Sequence, residues 1–173
     1  MAEKVILVDR ENNEIGEEEK LKAHNDGKLH RAFSIFIFDS KGNLLLQQRD
    51  KEKYHSPKKW TNTVCSHPRP GESIEEAAHR RLYEEMGLKC ELEKLFSFIY
   101  YAELEYGLKE HEYDIVFRGL IDESPVPNRE EVMDYTWISL DNLEDNFRKN
   151  KESYTAWFRE LFENEDFKKN IFY

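Results

Sequence analysis

One stretch constrains the fold of this chain more than any other. Residues 73–88, SIEEAAHRRLYEEMGL, form a strong helix pattern inside a chain that otherwise reads as strands. Ser73 followed by Glu76 is a capping-box pair. Acidic residues crowd the first turn, where the helix dipole favours them, and Gly87 stands where a C-terminal cap belongs. Ile74, Ala77, Ala78 and Leu82 recur at helical spacing, so one face of this helix packs against something. Around it lie strand-like runs. KVILVD at 4–9 is followed by ENNEIG, which reads as a turn. FSIFIFDSKGNLLLQQRD at 33–50 reads as a hairpin about Ser40-Lys41-Gly42-Asn43. Runs at 92–103, 111–121 and 132–138 complete the set, and KEKYHSPKKW is a polar, proline-broken loop. The tail, DNLEDNFRKN and TAWFRELFEN, carries apolar residues three and four apart and returns to helix. Strands that outnumber helices in this order predict a mixed β-sheet flanked by helices, an α+β or layered α/β/α fold. No linker divides residues 1–173, so a single domain is expected.

Composition excludes several roles. Lys plus Arg number 26 against 36 Asp plus Glu, a net charge of −10, which argues against a nucleic-acid surface because phosphates need a positive footprint. No apolar run approaches the ~20 residues that cross a bilayer, so no membrane role is expected. Two cysteines, Cys65 and Cys90, make no disulfide framework. Without a signal-peptide pattern, the expected compartment is the cytoplasm. No dinucleotide-binding G-x-G-x-x-G occurs, and neither flavin nor NAD is expected.

Four groups of residues can carry chemistry. His24 and His30 flank a glycine-containing turn, Asn25-Asp26-Gly27, and His67 follows Cys65 by two positions. Glu110 and Glu112, two apart on a strand, share one face. Adjacent carboxylates repel unless a cation or proton lies between them, and a mixed imidazole and carboxylate set suits a hard or borderline divalent ion. The plain alternatives are hydrogen-bonded histidines and a solvated strand face. Glu84 and Glu85 project about 100° apart on the helix, so only one can face inward on the side of Glu72. Cys65 lacks the nearby second cysteine of a zinc site. It is either a small buried residue or an acid, base or nucleophile.

These signals fall in one order. Residues 66–88, SHPRPGESIEEAAHRRLYEEMGL, resemble the Nudix box, G-x5-E-x7-R-E-U-x-E-E-x-G-U with U apolar. Ser66 takes the place of the first Gly and Glu72 that of the first Glu. Arg80, Leu82, Glu84, Glu85, Gly87 and Leu88 complete the pattern. Two positions depart from it, Ser66 for Gly and Arg81 for Glu. An arginine in the row of metal-holding glutamates exchanges a ligand for a cation. Within that superfamily, WTNTVCSHPRPGE (60–72) and EHEYDIVF (110–117) resemble the cysteine and glutamate motifs of the type 1 isopentenyl-diphosphate isomerases. EEKLKAHNDGKLHRAFSIFIF near the N-terminus also fits, and the likeness spans about residues 4–160.

The resemblance implies a Nudix-like fold and an isomerase of isoprenoid biosynthesis. Such an enzyme turns isopentenyl diphosphate into dimethylallyl diphosphate through a carbocation-like intermediate. A Nudix phosphohydrolase acting on a diphosphate is the alternative. The isomerase resemblance implies Cys65 and Glu112 as catalytic, assisted by Tyr100, with Trp157 over the reacting carbons. A divalent ion (Mn2+, Mg2+ or Zn2+) falls to His24, His30, His67, Glu110 and Glu112, and Mg2+ arriving with the diphosphate falls to Glu85. Lys20, Arg49, Lys53, Arg69 and Arg81 correspond to diphosphate contacts. Four of them, Lys20, Arg49, Lys53 and Arg81, should gather on one rim with Cys65. The expected partner is the small isoprenoid diphosphate, and the expected assembly a monomer or weak dimer.

Overall fold

A computed structural model describes residues 1–172. The described residues form nine strands and five α-helices. β1 (Lys4–Val8) and β2 (Glu14–Glu19) precede α1 (Lys20–Asp26), then come β3 (His30–Phe38), β4 (Leu44–Arg49), β5 (Trp60–Thr61) and β6 (Val64–Ser66). The strong helix is α2 (Ile74–Met86), followed by β7 (Glu93–Glu103), β8 (Lys109–Leu120) and β9 (Val132–Ile138). Three helices close the chain: α3 (Leu140–Lys149), α4 (Ala156–Glu163) and α5 (Glu165–Ile171).

β3 is the hub of one branched sheet. It runs parallel to β8 along its whole length, from His30 opposite Glu112 to Phe38 opposite Leu120. It also pairs antiparallel with β6 and touches β1 at Leu7 opposite His30. β8 in turn pairs antiparallel with β7. Both faces of β3 are covered. Phe33, Ile35 and Ile37 join Ala77, Ala78, Leu82 and Met86 of α2 in one core. Phe36 and Phe38 join Leu143, Phe147, Phe158, Leu161 and Phe167 of the C-terminal helices in the other. A strand buried on both sides reads as a continuous apolar run rather than an alternation, which is how AFSIFIF reads. The layered α/β/α arrangement is therefore present.

Two local expectations need correction. ENNEIG is not all turn, because β2 begins at Glu14 and pairs with β1 along its length. β2 is a largely exposed, glutamate-rich strand, so it has no period-two apolar signal to read. The 33–50 segment is not a simple hairpin. β3 and β4 pair only at Phe38 opposite Leu44, after which β4 pairs with β9. The short α1 and α5, seven residues each, are too brief for periodicity to reveal. α2 is as expected, with the Ser73–Glu76 box formed and Gly87 left-handed at φ 66°. A Cβ on Gly87 would meet the Val126 carbonyl oxygen at 2.8 Å, so both conformation and space require glycine there.

Candidate active site

Strand register assembles the site. The parallel pairing sets His30 beside Glu112, and the antiparallel one sets Tyr100 across from Glu112. Cys65 lies opposite Ser34. Alternation along β8 turns Glu110, Glu112 and Asp114 to the same face, and all three are buried. His24 arrives from the last turn of α1 and His67 from the segment after β6.

One ligand atom from each of His24, His30, His67, Glu110 and Glu112 lies within 4.8 Å of all the others. The Nδ1 atoms of His24 and His30 face the carbonyls of Lys20 and Lys28 at 2.7 and 2.8 Å. Those carbonyls can only accept, so Nδ1 carries the proton and Nε2 turns a lone pair inward. His67 Nε2 lies 2.9 Å from Glu112 Oε1, and Tyr100 donates its hydroxyl to Glu112 Oε2 at 2.8 Å. Two buried atoms, His30 Nε2 and Glu110 Oε2, have no hydrogen-bond partner. Buried polar atoms are rarely left so, and these two point into the shared centre. Three imidazoles and two carboxylates, two of whose inward atoms are unsatisfied, fit a divalent metal ion. Burial holds the His67 imidazole down at about 4, despite Glu112. Burial and His30 lower His24 as well. Both are therefore neutral near pH 7, the form that ligates. Burial and the neighbouring Glu112 push Glu110 well up. For Glu112, burial is outweighed by the hydrogen bond from Glu110 and by the His67 imidazole, which hold it well down.

Cys65 and Glu112 both line one cavity of about 290 Å³, together with Tyr100 and Trp157. Lys20, Arg49, Lys53 and Arg81 line the same cavity, so the four dispersed cations are brought to one site. Arg69 is not; it is exposed and lies outside the lining residues, in the turn between Pro68 and Pro70. His30, fully buried, stands behind the lining. The Cys65 thiol is pushed well up by burial and by Asp114, and its Sγ donates to Asn62 Oδ1 at 2.9 Å. The Trp157 ring carries the Arg49 guanidinium at 5.0 Å, so one of its faces already holds a cation.

Of the paired helix carboxylates, Glu85 faces the cavity and Glu84 the solvent. Glu72 does not join Glu85. Arg80 grips its two oxygens at 2.6 and 2.9 Å and also reaches Glu84 at 3.2 Å. Arg81 meets Glu84 at 2.7 Å, Glu85 at 2.5 Å and Glu131 at 2.6 Å, and so neutralises the acidic row. Glu85 also accepts from Gln47 Nε2 at 2.8 Å.

Sequence reasoning missed Glu3, Gln47, Tyr54, His55, Ser66 and Glu131 as cavity residues. Gln47 had a signal, a polar residue closing the apolar run LLLQQR. Glu131, one acid among several in NREEV, had none. Among the described residues, no helix is long and apolar enough to cross a membrane.

The site can be set beside known proteins. Residues 28–158 match the NUDIX domain family. The chain is 52% identical over 161 residues to "Isopentenyl-diphosphate Delta-isomerase 2" of Photorhabdus laumondii, covering 93% of this chain and 91% of that one. It is 50% identical over 158 residues to an isopentenyl-diphosphate Delta-isomerase of Serratia proteamaculans, covering 91% and 88%. The chain belongs to the isopentenyl-diphosphate Delta-isomerase family. Solved structures agree on the fold alone. A Deinococcus radiodurans protein aligns with a TM-score of 0.71 at 19% identity over 85% of this chain and 90% of its own. A MutT protein of Methanosarcina mazei aligns with a TM-score of 0.66 at 24% identity, covering 82% and 94%. This chain therefore shares the layered scaffold of those structures.

Proposed function

We propose that this cavity is where the family's reaction takes place, the conversion of isopentenyl diphosphate to dimethylallyl diphosphate, with Cys65 and Glu112 as the proton-transferring pair. The supporting observation is the shared cavity itself. A thiol and a carboxylate line it, cations gather in it, and an aromatic ring completes the wall.

Moving the double bond requires a proton to be added to the terminal alkene carbon and another removed from the carbon on the far side of the tertiary centre. The two groups must both lie within transfer reach. One delivers its proton to form the tertiary cation; the other takes a proton from the adjacent methylene and restores the alkene. In the reverse direction the roles exchange. Tyr100 orients the Glu112 carboxylate through its 2.8 Å hydrogen bond. The wall near the reacting carbons must exclude water, which would trap the cation. Trp157, only 4% exposed, serves there and offers its π face to the positive charge. Lys20, Arg49, Lys53 and Arg81 hold the diphosphate.

His24, His30, His67, Glu110 and Glu112 would hold one divalent ion (Mn2+, Mg2+ or Zn2+), and Glu85 would receive Mg2+ with the diphosphate. Bound there, these ions supply Lewis-acid charge that favours the ionised carboxylate and neutralises phosphate oxygens. The phosphohydrolase reading is weaker, because Arg81 occupies a glutamate position of the box and puts a cation where a metal ligand would stand.

The test is an NMR assay with isopentenyl diphosphate in heavy water. Deuterium should enter the dimethylallyl product with the native protein and not with Cys65→Ala or Glu112→Gln. Undiminished turnover by Cys65→Ala, or phosphate release from nucleoside diphosphate derivatives without isomerisation, would overturn the reading.

A further inference from the structure

Behind the thiol lies a chain of hydrogen bonds whose direction is set from Trp157 to Asn62, and the nearer of the two partners of Cys65 Sγ is Asn62, Ser34 Oγ lying farther off at 3.4 Å. Asn62, with no exposed surface, spends both amide hydrogens on backbone carbonyls, Ile35 O at 3.0 Å and Val64 O at 2.9 Å. Its Oδ1 is therefore the acceptor end, and it faces both Cys65 Sγ at 2.9 Å and Thr61 Oγ1 at 3.0 Å. An indole nitrogen can only donate, and Trp157 Nε1 donates to Thr61 Oγ1 at 3.0 Å. Thr155 Oγ1 accepts from the Phe158 amide, capping α4, and gives its own hydrogen to Thr61 Oγ1 at 3.1 Å. With two donors already on its oxygen, the Thr61 hydroxyl has one hydrogen left, and it goes to Asn62. Thr61, Thr155 and Asn62 are all at most 2% exposed, so no water replaces a lost partner.

We propose that Thr61 and Asn62 are positioning residues that lock the direction of the Cys65 S–H and tie it to the ring of Trp157, so that the thiol and the aromatic wall are held as one unit. No member can turn over without stranding a buried donor. The strand β5 carrying Thr61 is paired with β4, and Trp60 bridges to Tyr154 just ahead of α4. The backbone thus fixes both ends of the chain. Neither residue lines the cavity, so their effect reaches the substrate only through Cys65 and Trp157.

This inference rests on the reading of Cys65 as catalytic, and the experiment separates the two. Thr61→Val keeps the shape and removes the hydroxyl; Thr61→Ser keeps the hydroxyl. For Thr61→Val, kcat should fall about ten- to a hundredfold, the effect of one misplaced buried hydrogen bond on a proton-transfer geometry. KM should stay within about threefold, since Lys20, Lys53 and Arg81 are untouched. The Trp157 indole N–H resonance should move upfield, and Thr61→Ser should restore both the resonance and kcat to near native values. Should Thr61→Val fail to fold, Thr61→Ala takes its place with the same expectations. Undiminished kcat in the hydroxyl-free variant, or an equal loss in Thr61→Ser, overturns the proposal while an inactive Cys65→Ala leaves the catalytic reading intact. An active Cys65→Ala overturns that reading instead.

Discussion

Glu131 shows how single residues keep a cationic site stable before a substrate arrives. Its carboxylate bonds Arg81 at 2.6 Å and Lys53 at 3.3 Å, and Lys20 is similarly paired with Glu3 at 3.3 Å. Burial alone would raise Glu131, but the two cations hold it below the usual carboxylate range. A diphosphate entering the cavity competes for the same cations, so part of its binding energy goes to displacing Glu131. Glu131→Gln should therefore lower the KM for isopentenyl diphosphate a few-fold, in line with ~1 kcal/mol or less for a partly exposed pair. The inhibition constant of inorganic pyrophosphate should fall in parallel. A KM that rises instead would mean that Glu131 helps hold the diphosphate and does not obstruct it.

At the scale of elements, α2 does two jobs with opposite faces. Ala77, Ala78 and Leu82 bury against the sheet, while the Arg80–Glu72 pair ties the helix to the loop that follows Cys65. The hydrogen bond from Arg80 lowers the Glu72 carboxyl, against a small opposing effect of burial. A carboxylate lowered in the folded state contributes stability above its unfolded value, about 4.3. That contribution is lost as pH falls through the lower folded value. Arg80→Ala should thus lower the unfolding free energy at pH 7 by a small amount, on the order of 0.5 kcal/mol for a partly exposed pair, read as a lower Tm. The difference from native should shrink as pH falls through the lowered folded value and disappear once Glu72 is protonated in the folded protein. A gap with no dependence on pH across that range would show that the arginine acts through packing and not through its ion pair. α2 was legible because it is long, capped and one-sided. β2 and α1 were not, since an exposed strand and a seven-residue helix are imposed by their neighbours and leave little pattern of their own. The 33–50 turn was legible as a turn, but the sequence carries no sign that β4 leaves β3 for β9, since that choice depends on strands far along the chain.

At the scale of the whole molecule, a net charge of −10 must coexist with the diphosphate-binding cavity proposed above. Four cations drawn from α1, β4, the loop after it and α2 meet there beside the carboxylates of Glu3, Glu85, Glu110, Glu112 and Glu131, so bound cations must add to them before the local field favours an anion. The site residues were legible where chemistry dictates the residue type, as in Cys65 and the His/Glu set. Glu3 and Glu131 were not, because any acid in the right place would serve. The same convergence has a thermodynamic consequence. The metal-competent donors come from α1, the start of β3, the segment after β6 and β8, and the unfolded chain does not hold them together. A divalent ion bound by all of them stabilises only the folded state, by ~2.7 kcal/mol at a hundredfold excess over Kd. For a chain of this size that corresponds to a Tm rise of roughly 5–11 °C. Protein stripped by a chelator and then titrated with Zn2+ or Mn2+ should show this rise in the absence of any substrate. In His24→Ala, which loses a donor from α1, the rise should be much reduced. Equal shifts in the native and His24→Ala proteins would place the ion elsewhere and leave the five inward-facing groups without a ligand.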